Sequence, residues 1–294
     1  MVVSFPPGGP TDSFARLYAD ALGKQLGQTV IVENKAGASG ALGSLDVKRS
    51  AADGYTLLFG TASTHVLYNL IQPKQQYDAL ADFAFIGVLG GAPVVFAVSP
   101  QMPRTLKNVI IAAKANPGKY SYGSPGTGTL LHVAAERLKQ VTGAPITHVP
   151  CKGAGPAMQD LIGGQIEMTV DTLGNLLPHH LSGRVRIVGV AAAKRLASAP
   201  EIPTVAESAD LAKPFEAMLW NVVTVPKDTP PAVQNTLAEA TRRALADPSL
   251  RSRLEAQSMF VDAHIGQAAA TAFVRAERAK WQPIVSALGD LTAN

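Results

Sequence analysis

The sequence is poor in the residues that carry covalent and redox chemistry. Cys151 is its single cysteine among 294 residues, which excludes an intrachain disulfide and a thiolate metal cluster and leaves the redox compartment open. Charged residues are only 16% of the chain, and 26 Lys and Arg against 22 Asp and Glu leave a net charge of +4. The basic residues of the C-terminal third are interleaved with acids (Glu239, Arg242, Arg243, Asp247, Arg251, Arg253, Glu255). No polyanion-binding stripe forms, so nucleic acid is not an expected partner. No serine stands in G-x-S-x-G, H-E-x-x-H is missing, and no carboxylate pair is set by local spacing, which argues against familiar hydrolases though not against every enzyme.

Long membrane-type runs are lacking as well. Gly54 to Pro73 and Phe83 to Pro103 contain no Asp, Glu, Lys or Arg. The first carries Thr56, Thr61, Ser63, Thr64, His65 and Asn69; the second is broken by Gly90-Gly91, Pro93 and Pro100, and two short buried strands fit it better than a helix in lipid. Met1–Phe5 has no basic n-region and is not a leader. Metal and nucleophile candidates are weak. His132 and Glu136, four apart, read as a hydrogen-bonded pair on a helix surface, His179-His180 point to different helix faces, and Cys151 before Lys152-Gly153 reads as a semi-buried, unreactive thiol.

What the chain has is apolar content, 47%, with 26 Gly and 21 Pro, the composition of a globular protein about twice the usual single-domain length. Short apolar runs predict strands at Thr29–Glu33, Tyr55–Phe59, Val94–Val98, Ile146–Val149, Ile166–Val170, Ile187–Val190 and Asn221–Val225. Amphipathic helices are predicted at Ser13–Leu26, Thr105–Ala115, Thr129–Val141, Pro231–Ala246 and Gln267–Leu288. Their alternation predicts an α/β fold with parallel sheets. Val94–Val98 and Val222–Val225 each precede a proline-bearing turn and a helix, which suggests two crossings between lobes: lobe one from 1–98 plus 226–294, lobe two from 99–225.

Three Gly/Ser/Thr loops stand between a strand and a helix: Pro6–Asp12, Gly60–His65 and Gly123–Thr129. Free amides and the positive dipole end at a helix start form an anion site, and small side chains let the anion approach. As ordinary turns, the same loops would use Thr11 or Asp12, and Thr127 or Thr129, as helix caps. Three such loops in two proposed lobes favour a ligand site. A nucleotide is not expected: Thr129 stands where a P-loop needs lysine, and Gly37, Gly40 and Gly43 have the wrong spacing for a dinucleotide fingerprint.

These segments resemble the periplasmic solute receptors of tripartite tricarboxylate transporters, the Bug or TctC type. The resemblance covers nearly the whole chain and rests on FPPGGPTD (Phe5–Asp12), VIVENKAGASGALG (Val30–Gly43), ADGYTLLFGTAS (Ala52–Ser63), ANPGKYSYGSPGTGTLLHVAAE (Ala115–Glu136), HVPCKGAGPAMQDLIGGQI (His148–Ile166), GRVRIVGVAAAKR (Gly183–Arg195) and PEIPTVAE (Pro200–Glu207). It implies a type II periplasmic-binding-protein fold, two α/β lobes joined by two crossing strands and closing on a small carboxylate. It also implies that members begin upstream of Met1 with a full first strand. The implied function is that of a monomeric, non-enzymatic, periplasmic receptor that captures a mono-, di- or tricarboxylate, aromatic and amino acids included, and hands it to integral-membrane transporter subunits, with no cofactor and no metal. The alternatives are a receptor that senses its ligand for a signalling partner, and, ranked below it, an α/β enzyme acting on an anionic metabolite through His132, Asp171 or Cys151. Mapped by the resemblance, the ligand loops contribute Phe5, Gly8, Gly9 and Asp12 from lobe one, and Ser124, Gly126, Thr127, Gly128 and Thr129 from lobe two. Thr61, Ser63, Lys152, Gly153 and Asp171 follow as secondary candidates. Neither Asp12 nor Asp171 is expected to touch a carboxylate directly, because like charges repel at contact distance.

Overall fold

The computed structural model describes residues 1–292. Its strands are β1 (Val2–Val3), β2 (Glu33–Asn34), β3 (Leu58–Thr61), β4 (Phe83–Val98), β5 (Ser121–Ser124), β6 (Thr147–Pro150), β7 (Met168–Thr172), β8 (Arg186–Val190), β9 (Met218–Pro226) and β10 (Phe260–Ile265). Its helices are α1 (Pro10–Leu26), α2 (Ala41–Lys48), α3 (Tyr68–Ile71), α4 (Leu106–Ala115), α5 (Leu130–Thr142), α6 (Ala154–Ile162), α7 (Leu173–Leu181), α8 (Val205–Ala209), α9 (Pro231–Ala246), α10 (Pro248–Glu255) and α11 (Gln267–Leu288). The chain divides into unit 1, Met1–Gly91 with Trp220–Thr292, and unit 2, Ala92–Leu219, passing between them within β4 and within β9.

In unit 1, β1 lies between β2 and β3, parallel to both, with Val3 opposite Asn34 and Phe59. β9 runs antiparallel to β3, and β10 antiparallel to the first half of β4. α1 begins with proline at its first turn, where a missing N–H costs nothing, and ends at Gly27 in the left-handed region. Its apolar stripe sets Phe14 and Tyr18 against Phe59, with ring centroids 5.6 and 6.0 Å apart. A second cluster beneath the sheet gathers Val2, Leu45, Val47, Leu58, Tyr77 and Phe83.

Unit 2 repeats the design. β5 lies between β6 and β7, parallel to both, and the second half of β4 runs antiparallel to β7 and to β8. α6 and α7 close over a core of Met158, Leu161, Leu173, Leu176, Ile187 and Val190. In both units the second crossover returns over the middle strand, so the carboxyl ends of three parallel strands lie side by side, the usual ligand end of such sheets.

Three expectations are overturned. The sheets are mixed rather than parallel, because β4 and β9 run antiparallel to their neighbours, and strand–helix order along the chain does not encode the direction of such strands. Phe83–Pro103 holds one buried strand of 16 residues, not two short ones. Gly90, at φ +119°, carries the strand through: a Cβ there would lie 2.0 Å from the Phe260 carbonyl oxygen of β10. The run Thr29–Glu33 pairs only from Glu33, since β1 offers it two residues.

Candidate functional site

At the carboxyl end of the unit 1 sheet, the chain leaves Val3, turns through Phe5–Gly9 and enters α1. Gly9 caps the helix with extended backbone and no side-chain acceptor. The amides of Gly9, Thr11 and Asp12 therefore face that end without helical carbonyls to bond. Asp12 is buried and locks the turn from inside: Oδ2 accepts the Gly8 N–H at 2.9 Å and Arg16 Nε at 3.0 Å, and Oδ1 accepts Asn34 Nδ2 at 2.8 Å. Asn34 also donates to the Phe5 carbonyl. Burial works to raise the Asp12 pKa, but these donors outweigh it and hold the carboxyl below its usual range. The Gly8 N–H is thus consumed within the protein, and Asp12 braces the helix start.

Thr61 ends β3 and Ser63 opens the helical turn Ser63–Leu67 behind it, both buried, in a bend stitched by Thr64. The Thr61 N–H donates to Thr64 Oγ1 at 3.0 Å and the Ser63 N–H to Thr61 Oγ1 at 3.1 Å. A Cβ on Gly40 would meet Thr64, Phe5 and Ser4, so the Gly37–Gly40 turn, absent from the expected site, closes in beside these loops. His65 lies behind, between Phe83 and Phe85, and full burial pushes it down to about 3, which keeps it neutral.

In unit 2 the loop after β5 is held by side chains beneath it. Ser124 Oγ lies 2.8 Å from His148 Nε2 and accepts the Gly126 N–H at 3.3 Å. Thr129 caps α5: Oγ1 accepts the His132 N–H and donates to the Gly126 carbonyl at 2.7 Å. The Gly128 N–H donates to His132 Nδ1 at 3.0 Å, which puts the imidazole proton on Nε2. Thr127 is half-exposed in the same loop. His132 is not on a helix surface, as its spacing suggested, and its Nε2 stands 4.0 Å from Glu136 Oε1, near it but beyond hydrogen-bond distance. It is fully buried, stacked on His148 at 4.1 Å, and His148 stacks on Tyr122 at 4.9 Å. Glu136 instead accepts from the Tyr122 hydroxyl and from Lys139. Burial, with the like charge of the partner ring, pushes His132 down to about 4, and burial does the same to His148. Sequence spacing could not reveal the stack because its rings come from α5, β5 and β6.

Next to this loop, the Cys151 N–H donates to the Ser124 carbonyl at 2.9 Å. The Cys151 thiol is half-buried and pushed up to about 11, first by burial and then by Asp160, so it is protonated and inert. Lys152 is exposed, and Gly153 starts α6 at φ +118° with no side-chain cap. On the other side of β5, Asp171 ends β7. It is buried, accepts the Thr172 N–H at 2.7 Å and an Asn175 amide hydrogen, and burial raises it to about 6. Asn175, missed from the sequence, is thus a partner of Asp171. Among the described residues no group of three or more His, Cys, Asp and Glu could hold a metal, and no helix is long and apolar enough to cross a membrane.

The family model described as the tripartite tricarboxylate transporter family receptor matches residues 14–290. The chain belongs to that receptor family. BugT of Bordetella pertussis is 35% identical to this receptor over 260 residues, 87% of this chain and 79% of that protein. A UPF0065 protein from the tcbD-tcbE intergenic region of Pseudomonas sp. strain P51 is 33% identical, over 97% of this chain and 84% of its own length. Among solved structures, the periplasmic binding protein BugD superposes with a TM-score of 0.93 at 31% identity, covering 99% of this chain and 97% of its own. MatC from Rhodopseudomonas palustris with bound malate gives 0.90 at 30%, over 97% of both chains, and a second R. palustris protein with adipate gives 0.92 at 30%, over 98% and 96%. The receptor thus has the type II periplasmic-binding-protein fold, and its relatives are solute-binding proteins, some holding carboxylates.

Proposed function

We propose that this receptor captures a small organic carboxylate outside the cytoplasm, in the periplasm, and delivers it as a monomer to integral-membrane transporter subunits, without catalysis. The observation that carries the reading is that each unit's carboxyl end holds a helix start without a side-chain cap, at Gly9 after the middle strand β1 in unit 1 and at Gly153 after the edge strand β6 in unit 2. Such starts present amides to an anion and need no lysine or arginine in contact. The proposed ligand-binding set is Phe5, Gly8, Gly9, Asp12, Thr61 and Ser63 in unit 1, with Ser124, Gly126, Thr127, Gly128, Thr129, Lys152, Gly153 and Asp171 in unit 2.

Hydrogen bonding divides the roles within this set. Gly9 and Gly153 bring backbone donors, while Asp12, Ser124, Thr129 and Asp171 hold loops in place with oxygens already engaged. Malate and adipate, held by relatives, set the size range to try first. A thermal-shift panel of mono-, di- and tricarboxylates, nucleotides and neutral sugars tests the reading. A bound acid at 100 times its dissociation constant stabilises the native state by about 2.7 kcal/mol. A panel in which no acid shifts the midpoint, while a nucleotide or sugar does, would sink it.

A further inference from the structure

Asn221 belongs to β9 in unit 1, where it pairs with Thr61 across the antiparallel ladder. It is 3% exposed, and its side-chain Oδ1 is buried without a hydrogen-bond partner. A buried amide oxygen left unpaired carries a desolvation cost and calls for a partner: an ordered water, an ion or a ligand group.

The position of Asn221 says what that is. Side chains alternate along strands, so residues 59 and 61 of β3 and their partners 223 and 221 of β9 share one sheet face. That face is covered by α1, whose Phe14 and Tyr18 both rest on Phe59. Phe14 lies nearer the start of α1, and Thr61 lies beyond Phe59 towards the carboxyl end. Asn221 therefore lies on the sheet face that α1 covers at Phe59, at the carboxyl end of β3, the same end as the uncapped start of α1 to which the proposed function assigns a carboxylate.

We infer that Asn221 reads a hydroxyl on the carbon next to the ligand carboxylate, so that the receptor selects 2-hydroxy acids over their unsubstituted counterparts. The inference rests on the carboxylate-receptor reading and deepens it. A side-chain amide carries a donor and an acceptor side by side: Nδ2 gives to a carboxylate oxygen while Oδ1 takes the neighbouring hydroxyl proton. A backbone helix start supplies donors only, and cannot tell a hydroxy acid from a plain one. An ammonium in place of the hydroxyl fits less well, because Asp12 at this end already has both carboxylate oxygens engaged by Arg16, Asn34 and Gly8.

Calorimetric titration of the full chain with malate and with succinate, which differ by that one hydroxyl, decides the matter. Wild type should bind malate about tenfold or more tighter, since sites built to bond a hydroxyl reject the analogue without it. Asn221→Leu, close in volume, should weaken both acids by removing the Nδ2 donor and weaken malate further by removing Oδ1, until the two lie within about threefold. Asn221→Ser serves the same comparison if the leucine variant does not fold. Binding of both acids by wild type within twofold, or a malate preference that survives in the variants, overturns the inference while leaving the receptor reading standing. If only other carboxylates in the thermal-shift panel bind, their hydroxylated and plain forms replace malate and succinate under the same criteria. If none binds, the receptor reading fails first and this one with it.

Discussion

Units 1 and 2 are built on one plan and secured by opposite chemistry. Each sets a middle strand between two parallel neighbours, β1 between β2 and β3, and β5 between β6 and β7. In unit 1 the loop after the middle strand is tied by charge, through Asp12, Arg16 and Asn34. In unit 2 it is tied by neutral rings, through His132 and His148 stacked beside Tyr122. A shared topology thus fixes where backbone donors gather, and leaves open which side chains hold them there.

The comparison breaks most visibly in acid. His132 titrates near 6.5 when unfolded and about 4 when folded, so its neutral form is favoured by the native state. That contribution is complete above pH 6.5 and is lost as pH falls through 4, about 3 kcal/mol in all. Protonation of Nδ1 would also displace the Gly128 N–H. Unfolding midpoints measured from pH 7 to pH 4 should fall more steeply in wild type than in His132→Asn, which retains an acceptor for Gly128; parallel curves would contradict the role given to this imidazole. The Asp12 network stays charged over that range, its carboxyl being held below the usual value, so what unit 1 loses in acid comes instead from buried His65, pushed down to about 3.

Asp12→Ala is the matching cut in unit 1. It removes the acceptor of Gly8, Arg16 and Asn34 together, and should cost about 2 kcal/mol by thermal or urea unfolding, tempered because Arg16 is half exposed. A variant as stable as wild type would show that the charged tie is ornamental. Thr129→Val removes the α5 cap at constant volume and should cost about 1 kcal/mol. Ligand affinity should fall less than for substitutions that disturb Gly9 or Gly153, because the hydroxyl is spent on the loop. The smallest change belongs to Cys151. With the thiol at about 11, roughly a thousandth is thiolate at pH 8, so a thiol reagent should label it more than a hundredfold slower than a small free thiol, and Cys151→Ala should alter stability by less than about 1 kcal/mol.

Much of this plan was legible in the chain itself. The amphipathic stripe of Ser13–Leu26 locates α1, short of its start only because Pro10 reads as loop, and the glycine-rich turns locate the helix starts. Strand direction was not legible, nor was the continuity of β4, because Gly90-Gly91 and Pro93 read as breaks until β10 supplies the partner that needs a bare Cα at Gly90. α7 went unread since Pro178 lies inside it. At the site, the types of residue were visible but their commitments were not. Whether the Thr129 hydroxyl or the Gly128 amide is available depends on Gly126 and His132 geometry, and the Asn221 amide stands out only once β9 is laid against β3.

The interrupted course of unit 1 also bears on the order in which the molecule assembles. Unit 2 is one uninterrupted stretch, Ala92–Leu219, and all its strands are present once that stretch has been synthesised. Unit 1 must wait for β9 and β10, contributed by the last quarter of the chain, before β3 and the first half of β4 gain their antiparallel neighbours. Closing contacts across so long a span is slow compared with local ones. Unit 2 should therefore acquire protection from amide exchange first in a refolding time course. A chain cut before Met218 should still protect β5, β6 and β7, while the helix start at Gly9, though encoded almost at the beginning, is among the last features to settle.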